Sequence, residues 1–278
     1  MRVFQKFRLI SGALSLVLAL ALAGCSLFGD KKGDPLDTLP VDQLYARGVE
    51  AIDNGNDDRA ARVFQRLISR FPFGPYTEQS QINLAYAQYK NGKPDDAYST
   101  INRFIKTYPT HRHVDYAYYL RGLINFDREG GLLERYVGQD MTKRDQVNLR
   151  QSFDDFGQLV RRYPQSLYAA DSRQRMIYLR NVMAQAELNV AMFYLRRGVY
   201  VAAANRAKAI VETYPRSPQA GDGLAILIES YGKLGQKELA ADAERVLKLN
   251  YPDHPYFSGN WPDYPSNLWK LVPLHNRG

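Results

Sequence analysis

Residues 44–72 read LYARGVEAIDNGNDDRAARVFQRLISRFP. Counting back from Pro72, Leu67, Phe64, Ala60, Gly48 and Leu44 fall where a unit of two packed helices needs them. Small residues at Gly48 and Ala60 let the helices approach. Phe64 and Leu67, three apart on one helical face, fill the space behind them. The unit closes at Phe71-Pro72, because a helix cannot run through proline without losing a backbone bond and clashing one turn back.

The same closure recurs at Tyr108-Pro109, Tyr163-Pro164, Tyr214-Pro215 and Tyr251-Pro252, with the prolines 37, 55, 51 and 37 residues apart. Counting back from Pro109 gives Phe104, Ile101, Ala97 and Ala85; from Pro215 it gives Ile210, Ala207, Ala203, Tyr194 and Ala191. The two small positions stand 12 residues apart in all three units. A period of about 34 to 40 residues marks helix-pair repeats, and this spacing fits the tetratricopeptide pattern. The expected fold is all-α, a tetratricopeptide αα solenoid of five helix pairs over 40–252, bounded at about 40–72, 73–109, 110–164, 165–215 and 216–252. Such proteins build extended concave surfaces that hold other chains.

Both long intervals yield to the same count. In the third unit Gly122 and Ser152 take the small positions, with Phe156 and Leu159 after them, and 18 extra residues fall near 129–146 around Gly130-Gly131, read as a loop. In the fourth unit 14 extra residues precede Ala191. That is about four helical turns, so one lengthened helix keeps its apolar face in register. Leu167 to Arg197 contains neither Pro nor Gly, as that requires. The fifth unit is weakest: Ala240 and Leu247 fit, but Ile228 occupies the small position.

The ends differ from the middle. Residues 1–8 are basic, 9–23 (LISGALSLVLALALA) are apolar, and Gly24-Cys25 follow, which together describe a secretory signal over 1–24. Fifteen apolar residues are too few for a comfortable membrane span. Leu22-Ala23-Gly24-Cys25 resembles the bacterial lipobox. That resemblance implies a diacylglycerol on the Cys25 thiol and an N-acyl chain on its new amino terminus, with no other cofactor. Each buried methylene adds about 0.8 kcal/mol of membrane affinity, so these chains would anchor the protein to a membrane. Cys25 is the sole cysteine, so it has no internal disulfide partner. Residues 25–39 are the lipidated cysteine and a polar tether, and 253–278 read as an irregular, aromatic-rich tail holding Trp261 and Trp269.

Composition excludes more than it assigns. Net charge is +8, of which Arg2, Lys6 and Arg8 supply three. The mild remainder marks no nucleic-acid site. There is no H-E-x-x-H, phosphate loop or G-x-S-x-G. His111 and His113 have no Cys or carboxylate cluster beside them in sequence and read as surface residues; no metal site is expected. Asp57-Asp58 and Asp154-Asp155 read as helix starts, where acids favour the dipole. Catalysis has no positive support.

The stretch RFPFGPY at 70–76, continuing as TEQSQINLAYAQYKNG through Gly92, resembles the BamD family, tetratricopeptide lipoproteins of the outer-membrane β-barrel assembly machinery. So do Arg103-Phe-Ile105, Pro109-Thr-His111, Val114-Asp-Tyr116, Arg121-Gly-Leu123, Phe153-Asp-Asp-Phe156, Leu159-Val-Arg161 and Tyr163-Pro164. The resemblance spans roughly 40–250, while the tail after Pro252 departs from it. It implies an outer-membrane protein on the periplasmic face. The implied partners are the barrel-and-POTRA insertase BamA, other assembly-machinery lipoproteins, and unfolded β-barrel proteins. A nascent barrel ends in an extended strand with a terminal carboxylate, which a groove of aromatic, Asn and Arg side chains would suit. On that basis Tyr76, Asn83, Tyr86, Tyr116 and Arg121 are groove candidates, and Arg197 and Arg206 are candidates for the contact with BamA. The competing expectation is a periplasmic repeat adaptor for cell-division or peptidoglycan machinery.

Overall fold

The structure is a computed structural model describing residues 35–128 and 146–262. Among these are ten α-helices and one 3-10 turn, with no strand. The helices are α1 (Val41–Asp53), α2 (Asp57–Arg70), α3 (Pro75–Lys90), α4 (Pro94–Thr107) and α5 (Val114–Asp127). They continue as α6 (Gln146–Arg162), α7 (Ala169–Arg196), α8 (Tyr200–Thr213), α9 (Ala220–Lys233) and α10 (Lys237–Asn250). They form five successive pairs, and the fold is that of an all-α tetratricopeptide-type repeat protein. By compactness the chain divides into residues 1–80 and 81–278, with the boundary inside α3.

Two kinds of turn repeat, each with its own cause. Between pairs, the aromatic before proline leaves the helix at φ −126° (Phe71), −125° (Tyr108), −123° (Tyr214) and −140° (Tyr251). Proline disfavours the α region for the residue before it. Each aromatic still donates its backbone N–H to the carbonyl four residues back, at 2.7–2.9 Å in all five units. Within a pair, Gly55, Gly92, Gly198 and Gly235 turn the chain at φ 69°, 70°, 72° and 73°, a region that costs a residue with a Cβ. The third pair is joined instead through 129–145, where the expected loop lies outside the described residues.

The small positions do what their size allows. A Cβ on Gly48 would sit 2.5 Å from the Phe64 ring, and one on Gly122 would sit 2.6 Å from the Phe156 ring. Ser152 Oγ donates to the Gly122 carbonyl at 2.9 Å. Ala85, Ala97, Ala191 and Ala203 are all fully buried. The lengthened helix of the fourth unit is present as α7, 28 residues long. In the fifth unit Ile228 is buried at the small position, while Ala240 is only half-buried.

In the first unit Leu44, Val63 and Leu67 make the core, against Leu36, Leu39, Val41, Tyr45 and Phe71. The Arg70 guanidinium holds the leading turn by donating to the Leu36 and Leu39 carbonyls at 2.6 and 3.0 Å. Asp57 and Asp58 occupy the first turn of α2, behind an Asn56 side chain that accepts from the Arg59 N–H at 3.1 Å. Within residues 81–278 the chain after Tyr251 folds back over α9. The Trp261 indole N–H donates to Asp222 at 2.5 Å and the Tyr256 hydroxyl meets Glu229 at 3.2 Å. Trp261 thus packs on the last pair; Trp269 lies outside the described residues. No described helix is long and apolar enough to cross a membrane.

Candidate functional site

The amino-terminal candidates fall in different surroundings. Tyr76, in the first turn of α3, is 42 % exposed and its ring lies 5.3 Å from Tyr45. Further along the chain, α3 carries Asn83 and Tyr86 and α5 carries Tyr116, all half-buried. Tyr116 lies 5.2 Å from Tyr168 and 6.5 Å from Tyr119, and Tyr119 stacks on Tyr168 at 4.8 Å. Burial pushes the Tyr116 hydroxyl pKa well above its usual value, and the neighbouring phenols of Tyr86, Tyr168, Tyr119 and Tyr89 add to the shift. Tyr86 and Tyr116 therefore belong to a five-tyrosine cluster. Tyr89, Tyr119 and Tyr168 escaped the sequence reading. The spacing of Tyr86 to Tyr89 and Tyr116 to Tyr119, three apart on a helix, was the available signal.

Arg121 has a different setting. It is 7 % exposed, and its guanidinium pairs at 2.7 Å with Asp155, which is fully buried. Asn102 accepts from it at 2.9 Å, and its charge lies 5.2 Å over the Tyr118 ring. Asn125 and Gln151 donate to the same carboxylate at 2.7 and 3.3 Å. Desolvation raises the Asp155 pKa, a shift that the Arg121 charge and these hydrogen bonds partly offset. A guanidinium so committed is the counter-ion of an internal carboxylate rather than an open receptor for another. Asp154-Asp155 is accordingly not a helix start: α6 begins at Gln146, and Asp155 lies at its centre as the buried partner. The apolar rhythm did not reveal this, because the pairing joins residues 34 positions apart through the third unit's insertion.

His111 and His113 are half-buried rather than fully at the surface. The His111 ring packs 5.2 Å from Phe104, and His111 Nδ1 accepts the His113 backbone N–H. Among the described residues no group of three His, Cys, Asp or Glu side chains could hold a metal. Cys25 lies outside the described residues.

The carboxy-terminal candidates sit on α7 and α8. Arg197, just past α7, lies 4.3 Å over the half-exposed Phe193 ring. Arg206 on α8 is half-exposed and pairs at 3.0 Å with Glu187 of α7, which Arg150 of α6 approaches at 3.9 Å. Beside them a half-enclosed cavity of about 280 Å³ is lined by Arg150, Phe153, Asp154, Arg180, Met183, Thr213 and Tyr214. Cation-on-aromatic contacts of this kind contribute about 0.5–1 kcal/mol at exposed sites and leave the cation available to a partner.

Helix pairs closed by the same two kinds of turn define an all-α protein of the tetratricopeptide-repeat class. This chain belongs to the outer membrane lipoprotein family YfiO, which matches residues 37–247. It is 46 % identical over 94 % of its length to 89 % of the outer membrane protein assembly factor BamD of Xylella fastidiosa (strain 9a5c). It is 38 % identical over 92 % of its length to 97 % of the protein of the same name from Neisseria meningitidis (strain DSM 15465 / Z2491). Among solved structures, the TPR2AB domain of yeast Sti1 covers 78 % of this chain and 79 % of its own, with 14 % identity and a TM-score of 0.42.

Proposed function

We propose that this protein is a non-enzymatic, lipid-anchored subunit of the outer-membrane β-barrel assembly machinery. It scaffolds a BamA-like insertase, contacts other lipoproteins of the machinery, and helps to receive unfolded barrel proteins at the periplasmic face. The observation that carries this reading is 46 % identity, over nearly the whole chain, to a protein named an outer membrane protein assembly factor. Two further features support it. The lipobox ending at Cys25 supplies the anchor, and the paired helices display aromatic and arginine side chains suited to holding polypeptide.

The test is affinity purification of the full chain from detergent-solubilised envelopes. A large β-barrel protein with POTRA domains is expected in the eluate; division or cell-wall enzymes alone would refute the proposal. Arg206→Glu places a second carboxylate against Glu187 and reverses the charge offered to an acidic partner, so capture is expected to drop about tenfold. An unchanged yield across salt concentrations would remove Arg206 from the interface. Cys25→Ser is expected to move the protein from the membrane to the soluble fraction, with no acylated mass in the spectrum.

A further inference from the structure

The second helix of each pair shows solvent one face that the early units keep polar and the last unit does not. Counting back 13, 6 and 3 residues from the closing proline gives Arg59, Arg66 and Ser69 on α2, and Asp96, Arg103 and Lys106 on α4, all exposed. The same positions on α10 are Leu239, Val246 and Leu249. Three and four residues apart, they share one helical face with Asp242. All three are exposed, Leu249 by 80 %. An open cavity of about 430 Å³, lined by residues 235–239, lies at the Leu239 end of this stripe. Single apolar side chains on a surface are ordinary; an aligned set that replaces charged ones marks a surface that meets something. The stripe is not the seat of a missing sixth pair. That seat is already polar, with Glu244 and Lys248 exposed where Ala207 and Val211 of α8 join the core.

We propose that the stripe is covered by this chain's own residues 268–274, LWKLVPL, running from Leu249 towards the cavity beside Leu239, with Trp269 over Leu249. Six of those seven residues are apolar, and they lie outside the described residues. The described chain stops at the right place. Trp261 is tied to Asp222 in the first turn of α9. That turn lies beside the end of α10, since a Cβ on its Gly221 would sit 3.5 Å from the Tyr251 ring. The length fits as well. Leu249 and Leu239 are about 15 Å apart along the helix, and seven extended residues reach about 23 Å. The charges match in sign: the stripe carries Asp242 and the run carries Lys270. Asp242 meets Arg245 at 2.8 Å, but both are well exposed, so the carboxylate stays available.

The test uses the full lipidated chain in nanodiscs, where no detergent competes for the stripe. The spectrum of the parent minus that of Trp269→Phe gives the emission of Trp269. It is expected to lie to the blue of that of a free peptide of residues 263–278, and trypsin is expected to cut after Lys270 at least about tenfold more slowly than in the peptide. Leu249→Glu changes an exposed residue, so helical circular dichroism is expected to stay as in the parent. It is expected to move Trp269 emission to the peptide value and to speed the cut at least about tenfold, the loss of one leucine from a docked contact. Ala241→Glu, exposed on another face of α10, is expected to change neither reading. Peptide-like emission or cleavage in the parent, no response to Leu249→Glu, or an equal response to Ala241→Glu would overturn the proposal. So would a sedimenting dimer that Leu249→Glu dissociates and deletion of 263–278 does not, which would make the occupant a second copy. Loss of the POTRA-containing partner in Leu249→Glu, with its capture kept after that deletion, would equally overturn it and give the stripe to the partner.

Discussion

The tyrosine cluster with Arg121 and the arginine-rich face of α7 and α8 use similar residues to opposite ends. In the first region polar groups are already engaged: Arg121 is spent on the buried Asp155, and the Tyr119 hydroxyl donates to the exposed Asp171 at 2.8 Å. In the second they face solvent, with Arg206 half-exposed and Arg197 over an exposed Phe193. A paired charge in a dry core fixes a conformation and leaves little for a partner. A half-exposed pair contributes little to folding and keeps its charge available. Tyrosine-rich composition alone therefore does not locate a binding surface; what each hydroxyl and guanidinium already touches decides.

The strongest way to break that contrast is to remove one carboxylate from each region. Asp155→Ala leaves the Arg121 charge buried without a counter-ion and is expected to cost about 3–5 kcal/mol in chemical denaturation. Glu187→Gln, beside the half-exposed Arg206, is expected to cost about 0–1 kcal/mol. Equal losses would abolish the distinction. Restoring most of the stability with Arg121→Met combined with Asp155→Leu would sharpen it, since a buried ion pair is often replaceable by well-packed apolar side chains.

A smaller effect is expected at the small positions. Gly122→Ala drives a Cβ to 2.6 Å from the Phe156 ring, so the ring must shift, at about 1–3 kcal/mol. Ala191→Gly, at the equivalent place beside the arginine face, makes no clash and is expected to cost about 1 kcal/mol through helix propensity. Phe156→Ile in the Gly122→Ala background is expected to recover part of the loss. Thermal melts of the four proteins decide the matter.

The smallest expected effect is a pH dependence. Burial alone would raise the Asp171 pKa, but hydrogen bonds from Arg175 and Tyr119 and the Arg175 charge outweigh it and hold the carboxyl below its usual range. A carboxyl lowered in the folded state stabilises above its unfolded pKa of about 3.9 and loses that contribution as pH falls through the lower folded value. Asp171→Asn is therefore expected to lower the melting temperature slightly at pH 7. The two proteins are expected to converge under acid, below the folded value. A constant gap between the two melting curves would show that Asp171 acts through packing alone.

Much of this architecture was legible before any coordinate, because its causes are local. Proline ends a helix wherever it falls, so five aromatic-proline pairs mark five closures. The sizes opposite the small positions also co-vary within the chain: Gly48 faces Phe64 and, across the insertion, Gly122 faces Phe156, while Ala85 and Ala191 are followed at the spacing of Gly48 and Phe64 by Ile101 and Ala207. Asp154-Asp155 was misread because a helix start was inferred from adjacent acids, when the helix had begun eight residues earlier.

The sequence by itself determined the helix pairs, their number and the long α7, all of which depend on residues close in the chain or on a fixed period. Only the tertiary structure decided that Arg121 is consumed by Asp155, that five tyrosines from three segments meet, that Trp261 folds back on α9, and that Arg150 and Arg180 flank one cavity. Those facts depend on which side chains meet across helices, and on the loss of water around a buried charge. Neither is fixed by spacing along a single strand of residues.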